Sequence, residues 1–283
     1  MAFKITCDNS ADLTKELYEK NKISVIPFNI TLGDDTFQDG TKLSNEEMFE
    51  YFQANKVLPK TSAINSYDYE EFFRKENTED EGLIHLSISS KISSTYNNAV
   101  EASKQFDNVF VIDSMSLSTG LGIQVLFACK LRDKKIPIAE AVEMINRRRE
   151  HVQISFVVDT LTYLHKGGRC SALAMLGATV LGIRPSIKVA NGKMGVGTKY
   201  KGKIHKILDK YILDTLNEFN NPDPELCFLT YSSATDEMKK IAHDTLKTNA
   251  KFKKVVDTTA GCTVSTHCGP NTLGVLFFRK SDI

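Results

Sequence analysis

Six of the eight residues from Ser89 to Tyr96 carry a hydroxyl. The apolar run Leu83-Ile84-His85-Leu86-Ser87-Ile88 precedes them and the helix-like Asn97-Asn98-Ala99-Val100-Glu101-Ala102 follows. Where a strand passes into a helix, the first helical N–H groups have no internal partner and sit at the positive end of the helix dipole. An anion is favoured there. Neutral hydroxyls add donors that rotate toward a ligand without fixing its charge. Six exceed what one helix cap needs, so the segment reads as a phosphate or carboxylate site, with a plain Ser/Thr-rich cap as the alternative.

Three other segments carry groups of chemical interest. They are Lys60-Thr61-Ser62-Ala63-Ile64-Asn65-Ser66, the stretch from Asp159 to Arg169 with its Gly167-Gly168-Arg169 end, and the stretch from Gly261 to Gly274 that holds Cys262, Thr263, His267 and Cys268. Ser93 as nucleophile, His267 as base and a strand-end Asp as orienter would make a hydrolase, since such triads are defined by geometry and not by order. The glycine-flanked nucleophile elbow is absent from Lys91-Ile92-Ser93-Ser94-Thr95, and no G-x-x-x-x-G-K-[ST] loop occurs. Cys262, His267 and Cys268 lack the paired spacing of a zinc site, so no metal is expected. Asp8-Asn9-Ser10, Asp113-Ser114, Asp159-Thr160 and Asp257-Thr258 repeat one pattern, an apolar strand ending in Asp before a hydroxyl. Beyond strand ends such carboxylates either converge on a crevice and bind Mg²⁺ or cap the helices that follow.

The elements that must position these groups alternate. Apolar runs at Phe3 to Cys7, Ile23 to Leu32, Leu83 to Ile88, Val109 to Ile112 and Ile154 to Val158 are separated by helical patterns, the mark of a parallel α/β layer. Ser44-Asn45-Glu46-Glu47 predicts a capping box, and Pro137 opens a helix striped with Ile138, Ala141, Val142 and Ile145. Arg147-Arg148-Arg149 at its end reads as a solvated helix terminus. After Thr160 come a helical apolar stretch through Ala178 and Leu181, then β-type runs around Asn191-Gly192, a dipeptide that predicts a tight hairpin. Strands at Leu226 to Tyr231 and Leu273 to Arg279 follow. The domains are placed at 1–155 and 156–283.

With 283 residues, 41% of them hydrophobic, the chain is long enough for two domains. Its 36 basic and 35 acidic residues leave a net charge of +1, which provides no global field for nucleic acid or an anionic membrane. No leader pattern or membrane-length apolar run is present, so a cytoplasmic protein without stable membrane insertion is expected. The six cysteines are scattered and are expected to be reduced.

In order and spacing the four segments resemble the DegV family of bacterial fatty-acid-binding proteins. Cys7-Asp8-Asn9-Ser10-Ala11-Asp12-Leu13, Val25-Ile26-Pro27-Phe28 with Gly33-Asp34 and Asp39-Gly40 behind it, and Asp113-Ser114 extend the resemblance over essentially the whole chain. It implies a two-domain α/β fold with an N-terminal, mainly parallel α/β/α layer and a C-terminal α/β domain whose sheet is mostly antiparallel. It also implies a monomeric lipid carrier, not an enzyme, holding one long-chain fatty acid such as palmitate, stearate or oleate and no cofactor. The carboxylate would sit where the domains meet, the tail in an apolar tunnel, and the acyl group would be presented to an ATP-dependent fatty acid kinase. Carried over by position, Thr61, Ser62, Ser93, Ser94 and Thr95 would bind the carboxylate, with Arg169 and His267 in the supporting network and Lys201 as a kinase contact. Two positions depart from the family pattern. Ser94 stands where glycine is frequent and is expected to narrow or re-aim the loop, and Lys201 replaces an arginine.

Overall fold

In the computed structural model, which describes residues 3–79, 81–170 and 182–282, the strands form three sheets whose order follows from how each run can be buried. The first has the order β2-β1-β6-β7 and is parallel throughout, built from β1 (Lys4–Asp8), β2 (Ser24–Ile26), β6 (Leu83–Ser87) and β7 (Val109–Asp113). Every residue of β6 is buried, as a central parallel strand covered on both faces requires. A small antiparallel sheet follows with β3 (Asn29–Leu32) between β4 (Asp35–Gln38) and β5 (Lys60–Ser62). The third sheet has the order β10-β9-β8-β13-β11-β12, from β8 (Val152–Val157), β9 (Ile183–Ala190), β10 (Lys193–Lys201), β11 (Pro222–Tyr231), β12 (Val255–Thr259) and β13 (Leu273–Arg279). All its pairings are antiparallel except β11 with β12. The fold is thus a two-domain α/β arrangement with one parallel and one mostly antiparallel sheet.

Helices α1 (Lys15–Lys20), α2 (Asn45–Asn55), α3 (Ser66–Glu76) and α4 (Thr95–Ser103) connect the early strands. The predicted capping box opens α2, with Ser44 and Glu47 each bonding the other's backbone N–H. Helix α5 (Thr119–Asp133) touches β1 and β6 of the first sheet and β8 and β13 of the third, so it is buried nearly all round and joins the two domains. Next come α6 (Ile138–Arg148) and α7 (Thr162–Gly167). On the third sheet, α8 (Ile204–Glu218) buries Ile207, Leu208, Tyr211 and Ile212 beside α9 (Asp236–Asn249), and α10 (Cys262–Cys268) leads into β13.

The structure corrects three sequence expectations. Ile23 to Leu32 is two strands in two sheets, because Pro27 has no N–H for a ladder and the next N–H, that of Phe28, is taken by Asn9 Oδ1 at 2.9 Å. The run Ile154 to Val158 belongs to the antiparallel sheet, paired with β13 and β9. A helix preceding it read as a parallel crossover, but α5 and α6 carry the chain from one sheet to the other. Nor is the arginine run wholly solvated. Arg148 is buried, donates to Asp223 at 2.6 Å and to the Arg279 carbonyl at 3.1 Å, and stacks 4.3 Å over the Phe278 ring. The junction placed at residue 155 falls inside β8, and the helical stretch through Ala178 and Leu181 lies outside the described residues.

Candidate functional site

The end of β6 and the hydroxyl loop are held by carboxylates from neighbouring strands. Asp8 accepts from Ser10 Oγ, from Ser87 Oγ at 3.0 Å and from Ile88 N at 2.8 Å, while Asp113 accepts from Ser90 N at 3.2 Å and Met115 N at 2.9 Å. Burial raises the Asp8 carboxyl above its usual range. The predicted hairpin forms with Asn191 at φ 51° and Gly192 at φ 77°. Its tip braces the loop, since Ser89 Oγ donates to Gly192 O at 2.8 Å, and a Cβ at Gly192 would stand only 2.5 Å from that hydroxyl. Beyond Ser90 the chain turns into α4. Its N-cap, Ser94, makes no side-chain capping bond. Ser93 Oγ lies 2.8 Å from Thr95 Oγ1 and accepts from Thr95 N at 3.3 Å. If Thr95 donates to it, the Ser93 proton is left for a ligand.

The facing wall comes from β5 and α10. Thr61 Oγ1 and His267 Nε2 are 3.1 Å apart, bridging 206 positions of sequence. Helix α10 is fixed by two carboxylates at its start. Asp39 accepts from Cys262 N and Thr263 N, each at 2.9 Å, and Asp12 accepts from Gly261 N at 2.8 Å. Burial, aided by the Arg169 guanidinium, pushes the His267 imidazole down to about 4, so it is neutral at pH 7. With Nε2 as its protonated nitrogen, His267 donates to Thr61, and the Thr61 hydroxyl is turned to donate onward. The backbone of Gly167 lies against Nδ1, where a Cβ would overlap it, and Arg169 Nη1 donates to Gly167 O at 2.7 Å. That accounts for the Gly167-Gly168-Arg169 motif.

These groups face one cavity of about 300 Å³. Thr61, Ser62, Ser93, Ser94, Arg169 and His267 all line it, and among the described residues no carboxylate does. Thr95 lies fully buried behind Ser93, and Lys201 is exposed at the end of β10, outside the wall. The remaining wall is largely apolar, from Phe28, Ile88, Ile92, Leu117, Met194 and Val264. A smaller apolar cavity of about 30 Å³ shares Leu117, Val264 and Cys268 with it and reaches Phe156 and Leu276. Phe28 lines the cavity, whereas Ile30, Phe277 and Phe278 are core.

Thr263 was named within its segment but given no role in the site. It stands four residues before His267, on the same face of α10, and its buried Oγ1 in the cavity wall has no partner. That spacing was the available signal. The strand-end aspartates do not converge: Asp8 and Asp113 hold the loop, Asp159 pairs with Arg184 at 2.5 Å, and Asp257 with His243 at 2.9 Å. Among the described residues no group of His, Cys, Asp or Glu is gathered to hold a metal ion, and no described helix is long and apolar enough to cross a membrane. All six cysteines are buried. The hydrolase constellation is not assembled either, because His267 Nε2 engages Thr61 in place of Ser93 and no carboxylate orients Nδ1.

A DegV domain-containing protein of Clostridium perfringens is 28% identical over 279 residues, 98% of each chain. A Thermus thermophilus structure, described as showing fatty acid binding by a DegV family protein, superposes with a TM-score of 0.92 at 23% identity, covering 99% of this chain and all of that one. At that identity the likeness shows the fold. A Thermotoga maritima structure described as revealing fatty acid binding function has a TM-score of 0.83 at 25% identity, over 99% of this chain and 100% of the other. The sequence model of the family described as "Uncharacterised protein, DegV family" matches residues 2–280, and the chain therefore belongs to the DegV family.

Proposed function

We propose that this protein binds one long-chain fatty acid, of the palmitate, stearate or oleate class, as a carrier and not as an enzyme. The observation that carries the reading is a cavity whose polar wall, among the described residues, offers hydroxyls, a neutral imidazole and one guanidinium but no carboxylate, while the rest of its wall is apolar. A fatty carboxylate leaving water needs its oxygens satisfied, and Thr61, Ser62, Ser93 and Ser94 supply donors while Arg169 balances charge. Thr95 and His267 act from behind, turning the Ser93 and Thr61 protons toward the ligand. Each charge-assisted bond contributes about 1.5–3 kcal/mol net. A tail of some fourteen methylenes contributes on the order of 10 kcal/mol before ordering costs, so the tail sets affinity and the head sets orientation. The fatty acid binding described for the Thermotoga relative supports the same reading.

In this proposal the loaded protein is a cytoplasmic monomer that presents the carboxylate to a separate ATP-dependent fatty acid kinase, with exposed Lys201 at the contact. Solvent extraction of the purified protein followed by lipid mass spectrometry should yield an acyl chain. Its reproducible absence, together with no binding on addition of palmitate or oleate, would overturn the reading. Ser93→Ala and His267→Ala should each weaken acyl retention about tenfold, roughly 1.4 kcal/mol, without unfolding the protein. Lys201→Ala should slow acyl phosphorylation and leave acyl affinity unchanged.

A further inference from the structure

A larger cavity, of about 620 Å³, opens between the start of β8, the end of β9, the last residue of β13 and the C-terminal turn of α8. It shares no lining residue with the 300 Å³ cavity. Arg149, Lys188 and Arg279 face it. Lys188 is neutralised by Glu218 at 2.5 Å, but neither guanidinium has a carboxylate partner among the described residues. Their hydrogen bonds run to backbone carbonyls, Arg149 to Asp113 O at 2.9 Å and Arg279 to Glu150 O at 2.7 Å. Glu150 shares the wall but pairs with neither of them through its carboxylate, so two guanidiniums without a carboxylate partner among the described residues offer planar donor sets to an oxyanion.

A second observation comes from the same wall. Gln153, only 1% exposed, donates its amide to Ser155 Oγ at 2.9 Å, while its carboxamide oxygen is buried with no partner, as is Arg279 Nε. Native structures rarely leave such groups unmatched. Val152, Ile154 and Phe219 add an apolar face beside them.

We propose that this cavity is a second ligand site, for a small organic oxyanion, phosphate ester or carboxylate, that also carries a hydroxyl or amino donor. Arg149 and Arg279 take the anion. Gln153 accepts from the donor after its side chain turns toward the cavity.

The test is calorimetric titration of the full chain with glycerol 3-phosphate, AMP and succinate. Glycerol 3-phosphate or AMP, which carry the donor, should bind with a sub-millimolar Kd; binding of succinate alone, which carries none, would overturn the donor requirement. Arg149→Gln and Arg279→Gln should each weaken that binding at least tenfold, and Gln153→Leu should weaken glycerol 3-phosphate or AMP but not succinate. Should an arginine variant fail to fold, Ala190→Phe at the exposed rim fills the cavity without touching its charges, and should abolish binding while acyl retention stays unchanged. No binding of any probe at millimolar concentration, or binding unaffected by Ala190→Phe, would overturn the proposal and leave the fatty-acid reading standing.

Discussion

The starts of α4 and α10 both approach the 300 Å³ cavity, yet they treat their backbone donors in opposite ways. At α10 the protein supplies its own carboxylates, with Asp39 on Cys262 N and Thr263 N and Asp12 on Gly261 N. At α4 there is no carboxylate, only Ser93, Ser94 and Thr95, and the N-cap residue makes no capping bond. The first helix start is saturated from within and serves to aim His267. The second is left with neutral donors facing a cavity that no acid among the described residues lines, so an external carboxylate meets attraction there.

Removing the internal carboxylate should have the largest effect. Asp39→Ala leaves two buried N–H groups unpaired and should lower stability by about 3–4 kcal/mol in urea denaturation, with acyl binding lost as α10 moves. A loss below about 1 kcal/mol would mean that α10 does not depend on its resident acid.

Acid should separate the two walls next. His267 resists protonation until about pH 4 in the fold but takes up its proton near 6.5 when unfolded. The unfolded state therefore binds more protons between those values, and the stability that neutral His267 contributes is present above pH 6.5 and lost as pH falls toward 4. Discounted for its partial exposure, the wild type should lose about 1–2 kcal/mol more than His267→Gln between about pH 7 and pH 4.5. Parallel pH profiles would remove His267 as the buried neutral base. Gly167→Ala should then show a smaller, local effect, since its Cβ would displace Nδ1 and weaken acyl affinity about tenfold with little change in melting. Unchanged affinity would mean that Thr61 needs no orientation from His267.

How much of this was legible in the sequence depends on the range of the interaction. The α2 capping box, the Asn191-Gly192 hairpin and the strand before the hydroxyl loop rest on neighbours in the chain, and local pattern found them. The split at Pro27, the burial of Arg148 and the move of β8 to the antiparallel sheet rest on partners far along the chain, so periodicity had no access to them. The site divides in the same way. Thr61, Ser93, Arg169 and His267 were picked out as motifs, and the structure brings them to one cavity. Thr95 turned out to lie behind Ser93, Thr263 was named in its segment without a role, and the role of Asp39 on α10 depends on a contact across 223 positions.

The smallest effect should come from Ser94, the position where glycine is frequent in the family. It sits at φ −74° and ψ −4°, ordinary right-handed backbone that any residue adopts, so this conformation does not need glycine's freedom. Its hydroxyl makes no capping bond, which removes the usual reason for a serine there to stabilise the helix. Ser94→Gly should therefore change stability by only a few tenths of a kcal/mol and acyl affinity by less than about threefold. A tenfold loss, measured by fatty-acid titration, would move Ser94 from the rim of the donor set to its centre and make the open helix start of α4 depend on two serines in place of Ser93 alone.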